Sequence, residues 1–318
     1  MSTLNGGSPP KNQARGSPGA ASKPASTSRR TGFVPIIGRG TASPAGVSTR
    51  IHTICGIAGY SLSARSDVDR TLAAQSLLAG IAERGADAVG YAHRSPDDAC
   101  AVVAKQRTPA SRLLDTIAVP ASATELLVHV RDYTKGHPSI AANNHPVRHG
   151  PVVGIHNGII LNDDELLEPL RCARCEPRMT VDSEAIFALA AHSGNDPRAL
   201  EELTGSMAAA WLDARVAGTI FAARGVGRPL WIGKGKHELF FASTRAALEV
   251  VERYSRIRLR KRELGEGAFL ELSAGRITRE ERFRPDHSYR DSVPLPAVRA
   301  PGEGVSCLER LAVLAAAA

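Results

Sequence analysis

Apolar and polar positions fall into two rhythms along this chain, and neither is established before residue 55. From there, CGIAGYSL at 55–62 predicts a strand. Residues 67–82 (DVDRTLAAQSLLAGIA) carry apolar side chains at helical spacing behind an acidic start, and the ERG that follows reads as a turn. Residues 89–93 and 99–105 predict a strand pair around the SPDD turn. LLVHV at 126–130 predicts a buried strand, followed by a long irregular loop at 131–150. At 152–160 two short apolar runs flank His156-Asn157-Gly158. Helices are predicted over 163–171 and 183–192, the second capped by Asp182 or Ser183. Short strands at 208–213, 219–223, 230–232 and 239–242 alternate with Gly-rich turns; a helix at 244–251 and a strand at 269–272 complete the pattern. Strands and helices come in blocks, which predicts an α+β sandwich rather than an alternating βαβ fold.

Before residue 55 the chain is rich in Ser, Pro, Gly, Ala and Arg, too poor in apolar surface to offset the entropy of ordering. Residues 1–54 are therefore expected to be a disordered basic leader: a pro-segment, a transit sequence, or a product of an upstream start. The leader changes how the charge is read. The chain of 318 residues has a net charge of +8; Lys11, Arg15, Lys23, Arg29, Arg30, Arg39 and Arg50 supply +7 with no acidic residue beside them, leaving +1 for residues 55–318. A nucleic-acid-binding face is not expected on so neutral a body. The basic run at 256–262 (RIRLRKR) alternates with Ile257 and Leu259 and reads as a strand with one wet face. No apolar run approaches the ~18 residues of a membrane span.

Five cysteines, an odd number, in a chain large enough to need no disulfide staples argue for a reducing, cytoplasmic compartment. Cys172 and Cys175 form one CxxC, with only His192 at moderate distance; a zinc site wants a second pair, so no metal or other cofactor is expected.

Polar residues that packing alone does not require gather at Cys55-Gly56, in the loop from Arg131 to Gly136, at His156-Asn157-Gly158, and at Asp182 in TVDSE. Singly, each has a plainer account: a buried Cys as a small hydrophobe, Asn-Gly as a hairpin turn, a solvated Arg, an Asp helix cap. Their order changes the reading. CGIAGY, ERGADAVG, HVRDYTKG, NNHP, VVGIHNGII and VDSE in succession resemble the class II glutamine amidotransferase domain, the N-terminal-nucleophile glutaminase. The resemblance runs over 55–285, with GRPLWIG, FFAST and GEGAFLEL similar to that domain's closing strands.

The resemblance implies a four-layer αββα sandwich and L-glutamine as substrate. It implies Cys55 as nucleophile, activated by its own free α-amino group, whose ordinary pKa of ~7.7–8.0 suits a base. That amine exists only once Ile54 and everything before it is removed. Asn157 and Gly158 are similar to the oxyanion donors, Arg131 to the clamp on the substrate carboxylate, and Asp182 to the partner of its ammonium. Thr134 and His145 match supporting substrate-site positions; Arg84, Gly85 and Asp87 match a structural turn beneath the nucleophile. Asp132 and Lys135 depart from the family pattern in the loop that closes over glutamine. Members of this family append a domain that consumes the ammonia, whereas residues 286–318 form a tail shorter than the ~50 residues of a small domain. The expectation is therefore a glutaminase subunit with an ammonia-accepting enzyme in trans. Two alternatives stand beside it: an amidase of the same fold on another γ-glutamyl or amide substrate, and an uncleaved, non-catalytic regulatory subunit.

Overall fold

Because successive side chains on a strand point to opposite faces, each residue's parity decides which layer it enters. The computed structural model describes residues 55–168, 174, 176–289 and 298–317; the basic leader, Cys172 and Cys175 lie outside them. One sheet of seven strands is built from β1 (Gly56–Leu62), β2 (Ala88–Arg94), β3 (Val102–Gln106), β4 (Glu125–Arg131), β9 (Trp231–Lys234), β10 (Glu238–Ala242) and β11 (Arg260–Glu263), in the order β11-β9-β10-β1-β4-β2-β3. A second sheet of six strands holds β5 (Val147–His149), β6 (Val152–Ile160), β7 (Gly205–Asp213), β8 (Ile220–Arg224), β12 (Ala268–Ser273) and β13 (Arg276–Arg282), in the order β13-β12-β8-β7-β6-β5. Every described pairing is antiparallel.

Three apolar layers follow from parity. Ala58, Tyr60 and Leu62 of β1 and Val128 and Val130 of β4 face outward onto the helices α1 (Arg70–Ile81), α2 (Ala110–Leu114), α5 (Arg245–Ser255) and α6 (Pro301–Ala317). Ile57, Leu127, Val153, Ile155, Ala208, Phe241 and Leu270 fill the space between the sheets. Trp211, Phe221 and Phe269 face the other way, onto Phe187 and Leu189 of α4 (Glu184–Ser193). Helix, sheet, sheet, helix is the expected four-layer sandwich. Each large apolar side chain in these layers stabilises it by about 1.5–3 kcal/mol relative to exposure.

Local chemistry sets the helix ends. Asp69 caps α1 by accepting from Leu72 N at 2.7 Å, and Thr244 caps α5 by accepting from Ala247 N at 3.2 Å. The two helices meet at Gly80, where a Cβ would come within 2.6 Å of the Ala247 Cα. The basic run at 256–262 is only half strand: Arg256 is the left-handed end of α5 (φ 54°), and pairing with β9 begins at Arg260. Glu252 fixes the change of direction, accepting from Leu259 N at 2.7 Å and pairing with Lys261. Residues 152–160 form one continuous strand. Within the predicted 163–171 helix, α3 covers Asp163–Leu167, and 169–171 lie outside the described residues.

The sequence pattern assigns no element to residues 301–317, yet they form α6. Its Cys307 and Leu311 are fully buried in the α1 layer, Glu303 accepts from Ser111 N at 3.0 Å, and Arg310 pairs with Asp115. Leu311→Ala is therefore expected to lower the unfolding free energy by about 2–4 kcal/mol in urea titration, the range for a buried leucine. A change within error would mean that α6 is not part of the folded core.

Candidate active site

The layer between the sheets is apolar at one end and polar at the other. On β1, Cys55 precedes Gly56 and shares the inward parity of Ile57; on β4, His129 and Arg131 share that of Leu127; on β6, Asn157 shares that of Val153 and Ile155. Register aligns them. Gly56 pairs with Val130 and Ile57 with His129, which brings Cys55 opposite Arg131. His129 Nε2–H donates across the layer to the His156 carbonyl at 3.1 Å, joining β4 to β6. His145, from the loop, stacks on His129 with ring centroids 4.1 Å apart.

The Cys55 thiol donates to the Asp132 carbonyl at 3.4 Å. Burial pushes its pKa up to about 11, opposed by that hydrogen bond and by the positive charge of Arg131. Arg131 is 2% exposed. Burial lowers its pKa, while Cys55 and Asp182 raise it, so all three lie in one another's field. Its Nη1 donates to Asn144 Oδ1 at 2.7 Å, and its Nη2 to the carbonyls of Lys135 (2.8 Å) and Gly136. This leaves Nε–H and one Nη1 N–H for a ligand. Asp182 accepts from Ile160 N at 2.8 Å, and burial raises its carboxyl to about 6.

Beneath the thiol, the Arg84 guanidinium is buried with none of its nitrogens hydrogen-bonded; burial lowers its pKa to about 10, and Glu83 and Cys55 raise it. Gly85 lets the turn approach β4: a Cβ there would lie 2.4 Å from the Arg131 carbonyl oxygen. Asp87 closes the same turn, donating its N–H to that oxygen at 3.0 Å and accepting from Tyr133 N at 2.9 Å. Thr134 is half-buried in the loop. Both amide atoms of Asn157 and both ring nitrogens of His145 are buried without a partner. Gly158 sits at φ 145°, within the strand rather than in a hairpin turn, and a Cβ there would meet the Ser206 carbonyl at 2.0 Å. Burial depresses His129 and His156 to about 3 and His145 well below the usual range, so all three are neutral near pH 7.

The structure thus gathers Cys55, Arg131, Asp182, Arg84, Gly85 and Asp87 around one end of β1 and β4, with Asn157 and His145 on the same face. Sequence reasoning missed Asn143 and Asn144. Asn144 holds the Arg131 guanidinium, and Asn143 Oδ1 accepts from Thr180 N (2.8 Å) and Val181 N (3.1 Å), anchoring the approach to Asp182. The signal was the polar pair in NNHP, of which only the histidine drew attention. Among the described residues, no helix is long and apolar enough to cross a membrane, and no group of three or more His, Cys, Asp or Glu is arranged to hold a metal.

A thiol, an unpartnered amide, a guanidinium and a carboxylate at one end of the layer are the groups that a small zwitterion carrying an amide would need. Residues 131–250 match the family described as a glutamine amidotransferase domain. Glutamine–fructose-6-phosphate aminotransferase of Shigella flexneri is 32% identical over 219 residues, covering 63% of this chain and 33% of that protein. The Haemophilus influenzae enzyme of the same name is 35% identical over 135 residues, covering 40% of this chain and 22% of that protein. The chain thus spans about a third or less of the curated relatives it matches. In fold, it is similar to glutamine phosphoribosylpyrophosphate amidotransferase from B. subtilis: TM-score 0.57, 18% identity, 72% of this chain and 49% of that one. Motif order, layered fold and the match across Arg131, Asn157 and Asp182 agree: the chain carries a class II glutamine amidotransferase domain of the N-terminal-nucleophile fold.

Proposed function

We propose that this domain hydrolyses the side-chain amide of L-glutamine through a thioester on Cys55 and supplies the ammonia to an acceptor enzyme on a separate polypeptide, in the cytoplasm. The observation that carries the reading is the buried Asn157 amide, both of whose polar atoms lack an internal partner, on the inward face that by strand parity also carries the half-buried Cys55 thiol. Each such group costs roughly 1–3 kcal/mol in a folded chain, and a substrate that completes its bonds accounts for its presence.

In the proposed reaction the Cys55 thiolate attacks the amide carbon of glutamine. The oxyanion accepts hydrogen bonds from the Asn157 side-chain amide and the Gly158 N–H. Collapse expels ammonia, which takes the proton first drawn from the thiol, and leaves a thioester. Water then attacks the thioester, releasing glutamate and restoring the thiol. Arg131, through its remaining N–H groups, binds the substrate carboxylate. Asp182 binds the ammonium, and Thr134 and His145 line the site.

The base is the α-amine of Cys55, freed by cleavage after Ile54. Two features support that choice. Sγ bonds a main-chain carbonyl rather than a side-chain base. A thiol pushed up to about 11 needs an acceptor at hand.

A chain beginning at Cys55 is expected to release glutamate and ammonia from glutamine, and one retaining Ile54 to be inactive; intact mass and a coupled glutamate assay read both. Cys55→Ala should abolish turnover. Asn157→Ala should lower kcat about 10²–10³-fold without lowering the melting temperature, because the amide it removes has no internal partner. Glutaminase activity surviving Cys55→Ala would end this mechanism.

The pH dependence follows from Asp182. Its carboxyl, raised to about 6, becomes neutral as pH falls through that value, and the charge that would hold the ammonium is lost. KM for glutamine should therefore climb below pH ~6. Asp182→Asn should raise KM at neutral pH and flatten that climb; a KM profile identical to the parent's would remove Asp182 from the substrate site.

A further inference from the structure

Two charged side chains of the loop at 131–150, Asp132 and Lys135, are ion-paired to residues outside the loop. Asp132 faces Arg299 Nε at 3.5 Å. Lys135 Nζ reaches both oxygens of Asp163 at 2.7 Å and Asp164 Oδ2 at 2.8 Å. We propose that these two contacts peg the loop over the site, and that Arg299, supplied by the C-terminal segment, is a positioning residue for glutamine. The proposal rests on the glutaminase reading above and adds residues that the reading does not use.

Arg299 is well placed to act as a fixed point. Its own N–H and that of Ala300 both donate to the Glu83 carbonyl at 2.9 Å, one residue before Arg84. The chain then enters α6, which is locked on α1 by buried Cys307 and Leu311 and on α2 by the Glu303–Ser111 bond. The guanidinium therefore hangs from backbone that is fixed at Glu83 and again along α6.

At the other peg, Asp163 is nearly inaccessible, and Arg174 joins Lys135 on it at 3.1 Å. Asp163 begins α3, just past the end of β6, where Ile160 N holds Asp182. One peg thus ties the loop to the nucleophile's turn and the other to the strand that carries Asn157.

Between the pegs lie Tyr133 and Thr134, with Tyr133 N fixed on Asp87. Asp132 does two jobs: its carboxylate meets Arg299, and its carbonyl receives the Cys55 thiol. Releasing Asp132 from Arg299 lets both the loop and the acceptor of that thiol move. A loop that must order itself on binding weakens substrate affinity in proportion to the populated open state, while leaving chemistry in the closed complex largely intact.

The test compares the Cys55-initiated chain with Arg299→Ala and Arg299→Lys, by glutamine kinetics and by hydrogen exchange over 131–136. Arg299→Ala is expected to raise KM about two- to fivefold, the scale of a half-exposed ion pair, with kcat nearly unchanged. Exchange in the loop should quicken, and Arg299→Lys should restore most of both. Added salt should raise the parent KM more steeply than that of Arg299→Ala, which has only the Lys135 pair left to screen in the loop. Unchanged KM in Arg299→Ala overturns the proposal, whether or not exchange changes. If the parent does not hydrolyse glutamine, the glutaminase reading fails on its own; loop exchange then decides the peg, and unchanged exchange overturns it.

Discussion

The two-residue period of the strand is the constraint on which the rest of the molecule depends. The inward parity that buries Ile57, Leu127 and Ile155 between the sheets also turns Cys55, Arg131 and Asn157 into the same layer a few ångströms further along. Stability and chemistry therefore share one alternation. A one-residue slip of β1 against β4 would turn Ile57 out of the core and Cys55 away from Arg131 together. The ladders that hold the sheets thus also hold the alignment of thiol and guanidinium.

The polar end of the layer is costly by the ordinary rules of burial. A thiol pushed up to about 11, the neutral His129 and His145, two buried arginines and a carboxyl raised to about 6 sit together there. The groups moderate one another. Arg131 lies in the field of Cys55 and Asp182, and its amide and carbonyl partners hold the loop around it. The unpartnered Asn157 and Arg84 are the residue of this arrangement: donors aimed inward with nothing in the protein to receive them. Strain of this kind persists where surrounding packing over-determines it, as the three apolar layers do here.

Much of this was legible in the sequence, and the failures have physical causes. The block order of strands and helices gave the sandwich, because strand and helix periods differ enough to be read locally. Order and spacing of short motifs pointed to residues that the fold does bring together, Cys55, Arg131 and Asp182 among them, because the chain returns to one end of the layer from several elements. Asn157-Gly158 looks like a hairpin turn when read alone; only pairing with β7 across the whole of 152–160 reveals a strand with a left-handed glycine inside it. The helix at 301–317 carries an Ala-rich run with a weak apolar stripe, and its burial comes from α1 and α2, more than a hundred residues away in sequence. Arg299 and Asp132 are equally unreadable as a pair, since no local rule links positions so far apart.

The nature of the base on the proposed mechanism follows from the same electrostatics. Ionising the thiol near working pH demands a proton acceptor at hand, and the hydrogen bond of the Cys55 sulfur runs to the Asp132 carbonyl rather than to a histidine; His129 donates to the His156 carbonyl, and the His156 ring meets Ser183 and the Ser206 carbonyl on the far side of its sheet. A freed α-amine on Cys55 would be covalently fixed beside its own sulfur. Burial disfavours its charged form, and so do Arg84 and Arg131, the same positive charges that favour the thiolate. Burial therefore works against the transfer from both sides, raising the thiol and lowering the amine, while Arg131 offsets part of the rise on the thiol; what favours the amine is its fixed position beside the sulfur. While Ile54 is attached, that nitrogen is an amide, whose lone pair is delocalised into the carbonyl. On the proposed mechanism the nitrogen then cannot take the proton, so attachment of the leader would by itself keep the thiol protonated.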